Sequence, residues 1–322
     1  LALAVLGIGP GDEVITTPMT FCSSVNVIEH VGATPVLADI DPLTLTIDPT
    51  HVAEAITPRT RAVMPVHYAG HPADMYPLLS LARKHGLYII EDAAHALPAY
   101  YEGQPIGTIG DLTAFSFYAT KNLTTAEGGM LTGSPEHIER ARVLSLHGMS
   151  RDAWKRYGQG GSWYYEVVEA GFKYNMTDIQ AALGLAQLRR LTQMQTRRRE
   201  IVARYNEAFS DVEALQTPVE RPNVSHAWHL YVLRLNLQHL TIDRAQFIDE
   251  LAARNIGASV HFIPIHLHPY YRNKYGWQPE DYPVATQEYH RVVSLPLSPR
   301  LSDADAEDVI AAVLDIVDKY QC

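Results

Sequence analysis

Cysteine is scarce in this chain: Cys22 and Cys322 are the only two among 322 residues, and they lie near opposite ends. Two cysteines so far apart in sequence provide neither a disulfide framework nor a Cys-rich metal site, and they fit a reducing compartment. No apolar run reaches the roughly 18 residues that a membrane-spanning helix needs. We therefore expect a cytoplasmic protein with no membrane partner.

Basic residues are also few. The chain has 26 Lys and Arg against 36 Asp and Glu, which gives a formal net charge of -10. An acidic chain without a long basic run argues against nucleic acid as the main partner. A phosphorylated small molecule is not excluded, because a few local donors can bind phosphate whatever the overall charge.

Several well-known catalytic motifs are missing from the sequence. It contains no HExxH zinc pattern, no GxSxG, no P-loop and no GxGxxG at a strand-helix turn. The 15 histidines are densest around 226–229 and 261–268, but they form no convincing ligand set with carboxylates. We therefore expect no metal.

What the first half does contain is an alternation of short apolar, β-branched runs with helical patterns. Helices are predicted at 23–32 and 75–86, and strands at 13–18, 34–40, 61–68, 88–92 and 112–118. This alternation predicts an α/β fold with a mostly parallel sheet covered by helices. Ligands of such sheets bind beyond the carboxyl ends of the strands, which directs attention to Asp92 and to the residues after 118.

The second half differs in style. Thr177 and Gln180 form a capping box that opens a long helical pattern, with a break in its middle allowed, as far as Phe209. Beyond it we predict strands at 229–236 and 258–262, helices at 244–257 and 303–320, and a loop at 217–223. The pattern predicts a large domain at 1–209 and a smaller α+β domain at 210–322.

Two charged residues lie at the edge of the sheet where we expect a ligand, at or after the carboxyl ends of strands. Asp92 ends the apolar strand 88–92 and could pair with the ring nitrogen of pyridoxal phosphate, although capping a helix is the more common role for such an Asp. Lys121 lies in a hydroxyl-rich loop, where a desolvated amine could form a Schiff base with an aldehyde. The alternative for Lys121 is an ordinary solvated surface group.

Three further residues are candidates for holding a flat, phosphorylated ligand. Ser116 could donate a hydrogen bond to a phosphate, or its hydroxyl could be satisfied locally. Phe21, at a strand-helix junction, could stack on a ring, or it could pack in the core. Asn175, just before the capped helix, could help hold a phosphate, or it could be a second capping residue.

Together these segments resemble the DegT/DnrJ/EryC1/StrS family of sugar aminotransferases. The resemblance rests on EDAAHA, SFYATKNLTTAEGGM and GFKYNMTDIQAALGLAQL in that order, and on PVHYAGHPADM, VHFIPIHLHPYY and SLPLSPRLSD, so it covers essentially the whole chain. It implies a fold-type-I transferase dependent on pyridoxal phosphate (PLP), working as a homodimer. Within the family, the chain looks most similar to one branch. Members of that branch use L-glutamate to aminate C4 of UDP-linked keto sugars, for surface polysaccharide biosynthesis.

The resemblance also implies roles for single residues. Lys121 would be the lysine that binds the cofactor covalently, and Asp92 would pair with the ring nitrogen. His95 would lie beside the phenolic oxygen, Phe21 on the ring and Ser116 at the phosphate. Asn175 would reach the phosphate of the neighbouring subunit's cofactor, so that each active site needs two chains.

One departure from the family pattern concerns the beginning of the chain. Members carry a G-T-x-A-L-like segment whose amides bind the phosphate, and this sequence starts after it, at LALAVLGIGPGDEV. We expect the N-terminal part of the large domain to be missing, which leaves two alternatives open: a non-catalytic PLP-binding regulator or a truncated remnant. A PLP-dependent sugar dehydratase is a further alternative, but such relatives typically have His in place of the lysine.

Other residues are candidates for contacting the substrate. The loop aromatics could stack on a base or a sugar: Trp154, Tyr157, Trp163, Tyr164 and Tyr165. Gly160 and Gly161 indicate a flexible loop. His147, His229 and His261 could approach the substrate. The sequence does not determine which nucleotide, sugar or carbon atom is used.

Overall fold

The computed structural model describes residues 1–149 and 165–322. The strands of the first half are β1 (Glu13–Thr16), β2 (Thr34–Leu37), β3 (Thr60–Val63), β4 (Tyr88–Asp92), β5 (Tyr100–Tyr101), β6 (Gln104–Pro105), β7 (Leu112–Ser116) and β8 (Gly129–Gly133). The later strands are β9 (Leu215–Gln216), β10 (Val224–Ser225), β11 (Tyr231–Leu235) and β12 (Val292–Leu295).

The helices occupy the spans between and after these strands. They are α1 (Ala2–Val5), α2 (Ser23–His30), α3 (Pro49–Ala55), α4 (Met75–His85), α5 (Pro135–Ser145), α6 (Asp178–Leu188), α7 (Leu191–Phe209), α8 (Arg244–Ala253), α9 (Pro269–Tyr275), α10 (Pro283–Tyr289) and α11 (Asp303–Tyr320). None of the helices in the described residues is both long enough and apolar enough to cross a bilayer.

A six-stranded sheet with the order β2-β1-β3-β4-β7-β8 forms the centre of the first half. Its first five strands run parallel, which confirms the prediction, and β8 pairs antiparallel with β7 at the edge. The predicted strands 13–18, 34–40 and 61–68 are too long at their carboxyl ends. The chain leaves the ladder there and enters the loops where ligands of parallel sheets bind.

Both faces of this sheet are covered, because neighbouring strand residues point to opposite sides. Ile15, Val63 and Ile89 pack with residues of α3 and α4 in one core. Val14 and Ile90, one position away, pack with residues of α1, α2 and α5 in another. Burial on both faces explains why the parallel strands are apolar at almost every position.

The helix that begins at Thr177 has the predicted capping box. Gln180 donates its backbone N–H to Thr177 Oγ1 (3.3 Å), and Thr177 donates its own to Gln180 Oε1 (2.9 Å). The allowed break lies at Arg189 and Arg190, between α6 and α7. Beyond the break, α7 buries Ile201, Tyr205 and Phe209, whereas α6 has no buried residue.

The C-terminal part contains a three-stranded antiparallel sheet, β12-β11-β9. It packs with α8, α11 and the end of α7, where Tyr205 and Phe209 are buried. The predicted strand 229–236 is β11, and the loop at 217–223 is confirmed. The domain boundary at 209/210 stays a prediction.

The predicted strand at 258–262 is wrong. Only Ser259 pairs, with Ser294 of β12, through two backbone hydrogen bonds of 3.2 and 2.8 Å. A strand needs a continued ladder, and here the chain instead turns so that His261 and Phe262 face a cavity beside the large sheet. The alternating apolar pattern of this segment thus serves a binding site.

Candidate active site

A cavity of about 330 Å³ opens at the carboxyl ends of β4 and β7. Five of the six residues singled out from the sequence line it together: Phe21, Asp92, His95, Ser116 and Lys121. They lie at or just beyond the carboxyl ends of three strands, and the parallel sheet brings these ends to one edge. Thr20, Tyr118, His229, His261 and Phe262 also contribute to its walls.

Asp92 is held by hydrogen bonds to both carboxylate oxygens. Ser24 Oγ donates to Oδ2 (2.7 Å), and the backbone N–H of Ala94 donates to Oδ1 (3.1 Å). Ser24 Oγ in turn lies 2.8 Å from Thr20 Oγ1. The helix-capping alternative for Asp92 is wrong, because residues 93–98 form turns and no helix begins there. The carboxylate is instead fixed at the cavity wall.

Lys121 lies in the loop after β7 and is partly buried, so the alternative of a fully solvated surface lysine does not hold. Burial lowers the pKa of its amine, and the nearby negative charge of Asp92 opposes that shift. A lowered pKa increases the fraction of neutral, nucleophilic amine. The position thus combines an activated amine with a carboxylate in one cavity.

Three histidines, His95, His229 and His261, line the same cavity as Lys121. The rings of His95 and His229 lie 4.4 Å apart between centroids, and His261 Nδ1 lies 2.8 Å from Ser294 Oγ. Burial lowers the pKa of all three imidazoles, and the charge of Lys121 lowers each further. His147, the third histidine considered for substrate contact, is not among the residues that line the cavity.

Phe21 and Ser116 lie at the cavity with groups available to a ligand. The side chain of Phe21 is 58% exposed, so core packing does not explain it, and its ring centroid lies 5.9 Å from that of Phe262. Ser116 Oγ accepts a long hydrogen bond from the backbone N–H of Tyr118 (3.3 Å), which leaves its own hydrogen available to donate. An exposed ring face and a hydroxyl suit a flat, phosphorylated molecule.

Asn175 is not in this cavity. It is exposed beside a second, larger cavity of about 660 Å³, which Asp92 also borders. The N-cap of α6 is Thr177, so Asn175 is not the capping residue of that helix. Of the loop aromatics, Tyr165 is exposed, whereas Trp154, Tyr157, Trp163 and Tyr164 lie outside the described residues, as do Gly160 and Gly161.

The sequence reading missed a buried pair that supports the strand end before Asp92. His67 Nε2 lies 3.0 Å from Glu91 Oε2, and both side chains are fully buried. Burial raises the pKa of Glu91, but hydrogen bonds from His67, Thr113 and Gly110 outweigh it and lower the pKa. The signal in the sequence was a second carboxylate inside an apolar strand, which needs a buried partner.

The donor set fits pyridoxal phosphate. An amine with a lowered pKa suits an aldehyde, a fixed carboxylate suits a protonated ring nitrogen, and an exposed aromatic ring suits the face of a pyridine. The hydroxyl of Ser116 suits a phosphate oxygen. No single one of these groups identifies the cofactor, but all of them line one cavity.

Comparisons with known proteins give the same picture. The family model "DegT/DnrJ/EryC1/StrS aminotransferase family" matches residues 1–314. The spore coat polysaccharide biosynthesis protein SpsC of Bacillus subtilis is 56% identical over 319 residues, which is 98% of this chain and 82% of SpsC.

Solved structures of relatives agree as well. Spr1654 of Streptococcus pneumoniae, assigned as a sugar aminotransferase, superposes in its PMP form with a TM-score of 0.91 at 37% identity, covering 98% of this chain and 84% of that one. Its PLP form gives a TM-score of 0.91 at 36% identity, with 98% and 83% covered. These matches confirm the predicted fold-type-I architecture and pyridoxal phosphate as the cofactor. The chain belongs to the DegT/DnrJ/EryC1/StrS aminotransferase family and is a PLP-dependent sugar aminotransferase.

Proposed function

We propose that the enzyme transfers the amino group of L-glutamate to a keto sugar carried on a nucleotide, with a UDP-linked 4-keto sugar as the preferred acceptor. The observation that carries this proposal is the cavity in which the Lys121 amine and the Asp92 carboxylate lie together. The 56% identity to the spore coat polysaccharide biosynthesis protein SpsC supports a role in making amino sugars for a surface polysaccharide. We place this activity in the cytoplasm.

We assign the chemistry to this chain's residues as follows. When bound, pyridoxal phosphate supplies an electron sink for the carbon that bears the transferred nitrogen. The Lys121 amine would hold the cofactor covalently. Once displaced, it would take the proton from the donor's nitrogen-bearing carbon and return it to the carbon on the other side of that nitrogen, two atoms further on. Its lowered pKa suits both tasks, because the amine must be neutral to attack and to accept a proton.

The other cavity residues bind and orient. The Asp92 carboxylate keeps a proton on the ring nitrogen, and the hydrogen bonds from Ser24 and Ala94 hold it in the orientation this requires. Phe21 would pack on the ring, His95 would lie beside the phenolic oxygen, and the Ser116 hydroxyl would donate to the phosphate. A single substitution at each of these residues tests its assigned role.

We further propose a homodimer in which Asn175 serves the partner's cofactor. Helix α6, three residues further along, is apolar but has no buried residue, and the side chain of Ile179 is 84% exposed. Exposed apolar residues grouped on one helix mark a surface that another molecule covers. Gln180 Nε2 donates to the carbonyl of Glu127 (2.8 Å), close to the larger cavity, so a partner on α6 would be adjacent to the site.

The absorbance of the purified, PLP-loaded protein tests the proposal. Addition of L-glutamate should replace the absorption band of the lysine-bound cofactor, at the border of the visible range, with the band of its amine form. Addition of a keto sugar should restore the first band. Alternation between the two substrates predicts ping-pong kinetics. A panel of UDP-, dTDP- and GDP-linked keto sugars identifies the acceptor.

A Lys121→Ala variant provides the complementary test. It should lose both the visible band and turnover, because no amine remains to bind the cofactor or to move the proton. The matched control is Lys84→Ala, an exposed lysine in the last turn of α4, which should behave as wild type. Near wild-type turnover by Lys121→Ala would refute the assignment.

A further inference from the structure

The residue that follows Lys121 determines the protonation of a histidine in the cavity wall. Asn122 Nδ2 donates to the carbonyl of Ala227 (2.8 Å), and Asn122 Oδ1 lies 3.1 Å from His229 Nδ1. A carbonyl oxygen can only accept, so the amide nitrogen must face Ala227 and the amide oxygen must face His229. Nδ1 of His229 therefore carries the proton and donates it to Asn122.

Burial also favours the uncharged form of this ring. Burial lowers the pKa of His229 well below its ordinary value, and the neighbouring His95 and Lys121 lower it further. A neutral imidazole with its proton on Nδ1 has a lone pair on Nε2. Within residues 1–149 and 165–322, His229 Nε2 makes no hydrogen bond, and the ring lines the cavity that contains Lys121. The cavity thus presents an uncharged acceptor without a donor.

The acceptor is also held in place from several sides. The backbone N–H of His229 donates to the carbonyl of Ala69 (3.0 Å), and Arg198, itself buried, donates to the carbonyl of Trp228 (3.2 Å). The ring of His95 packs 4.4 Å away between centroids. A group fixed in this way pays little entropy when a ligand binds to it.

We propose that His229 Nε2 accepts a hydrogen bond from a hydroxyl group of the keto sugar, with Asn122 as the positioning residue that keeps Nε2 free of a proton. This rests on the proposed function. A hydroxyl group of the sugar can donate a hydrogen bond to a lone pair. The carboxylates of L-glutamate have no proton to give, and its amino nitrogen is the group that is transferred, so it is engaged elsewhere in the site. His229 therefore contributes to the sugar half of the reaction and not to the glutamate half.

Two substitutions of His229 separate its two nitrogens. In His229→Asn the short amide still reaches Asn122 but leaves no group at the position of Nε2. In His229→Gln the longer amide places an oxygen there. Both half-reactions are followed separately by the cofactor absorbance, with L-glutamate and with the panel of UDP-, dTDP- and GDP-linked 4-keto-6-deoxy sugars as probes. His85→Asn, an exposed histidine at the end of α4, is the matched control.

The expected result is selective. His229→Asn should lower kcat/KM for the sugar by on the order of 10- to 100-fold, the range for losing one buried hydrogen bond. The glutamate half-reaction should change by less than about 3-fold, because that interaction exists only with the sugar. His229→Gln should recover part of the sugar activity. Equal losses in both half-reactions, or no recovery by Gln, would overturn the proposal.

A second measurement needs no substrate. In protein labelled with ¹⁵N-histidine, NMR should show one neutral ring protonated on Nδ1 at pH 7.5 whose signal disappears in His229→Gln. A charged ring, or one protonated on Nε2, would overturn the proposal even if the enzyme is active. Failure of the proposed function has a different signature: the wild-type cofactor band would not respond to L-glutamate or to any sugar of the panel.

Discussion

The exposed helix α6 allows a quantitative prediction about assembly. The side chains of Ile179 and Leu185 are 84% and 61% exposed, on a helix without a single buried residue. Complete burial of such a side chain contributes about 1.5–3 kcal/mol, so the exposed parts of these two represent about 3 kcal/mol in each protomer. In a symmetric dimer both copies contribute, and the total is about 6 kcal/mol.

Replacement of both residues with Glu should therefore weaken the dimer strongly. A loss of about 6 kcal/mol corresponds to an increase in the dimer Kd of about 10⁴-fold, and the cost of burying the carboxylates adds to it. Sedimentation velocity at micromolar concentration should show a dimer for the wild type and a monomer for the double variant. The affinity of the double variant for pyridoxal phosphate should fall as well, because a monomer has no partner whose Asn175 could contact the cofactor.

The control for this prediction is Leu237→Glu. Leu237 is 36% exposed and lies on a short 3-10 helix between β11 and α8. Circular dichroism and the melting temperature check that all variants are folded. A double variant that associates as tightly as the wild type would refute the argument, and so would a wild type that is monomeric at tens of micromolar.

Three further predictions concern the site and its support. Ser24→Ala removes a charge-assisted hydrogen bond of 2.7 Å to Asp92 and should weaken PLP binding by about 10-fold, measured by fluorescence titration, with little change in melting temperature. His67→Ala leaves the buried Glu91 carboxylate without one of its donors and should cost about 2–4 kcal/mol in urea unfolding, whereas substitution of an exposed histidine should cost under about 0.5 kcal/mol. The pKa of Lys121 is lowered in the folded state. Between that pKa and the ordinary value of 10.5, the unfolded chain therefore binds more protons than the folded protein. The free energy of unfolding of the cofactor-free protein should rise with pH over this range. Lys121→Met should flatten this rise in chemical denaturation measured at several pH values, and an unchanged slope would contradict the lowered pKa.

Much of the fold follows from local patterns in the sequence. Each parallel strand is buried on both faces, so its residues are apolar in succession, and the helices between them have one apolar face. The capping box of Thr177 and Gln180 involves residues three positions apart, and its geometry is set by the helix itself. The ligand edge could also be predicted, because parallel strands all end on the same side of the sheet. Asp92 and Lys121 were found in this way.

Other features depend on contacts between residues far apart in sequence. The segment 258–262 has an alternating pattern typical of a strand, but only Ser259 finds a partner, and His261 and Phe262 turn into the cavity. Whether an alternating run becomes a strand depends on an available neighbour, and local propensity carries no information about that. The exposure of α6 is similar: its apolar residues indicate burial, but the chain alone does not bury them.

The sequence by itself therefore determined the class of fold, the family and the residue types at the ligand edge, because these depend on local periodicity and on motifs. Only the tertiary structure decided how those residues are supported. Ser24 reaches Asp92 across 68 positions, and Asn122 reaches His229 across 107. Hydrogen bonds over such separations, and the burial that lowers the pKa of Lys121, exist only once the sheet and the C-terminal segments have packed together.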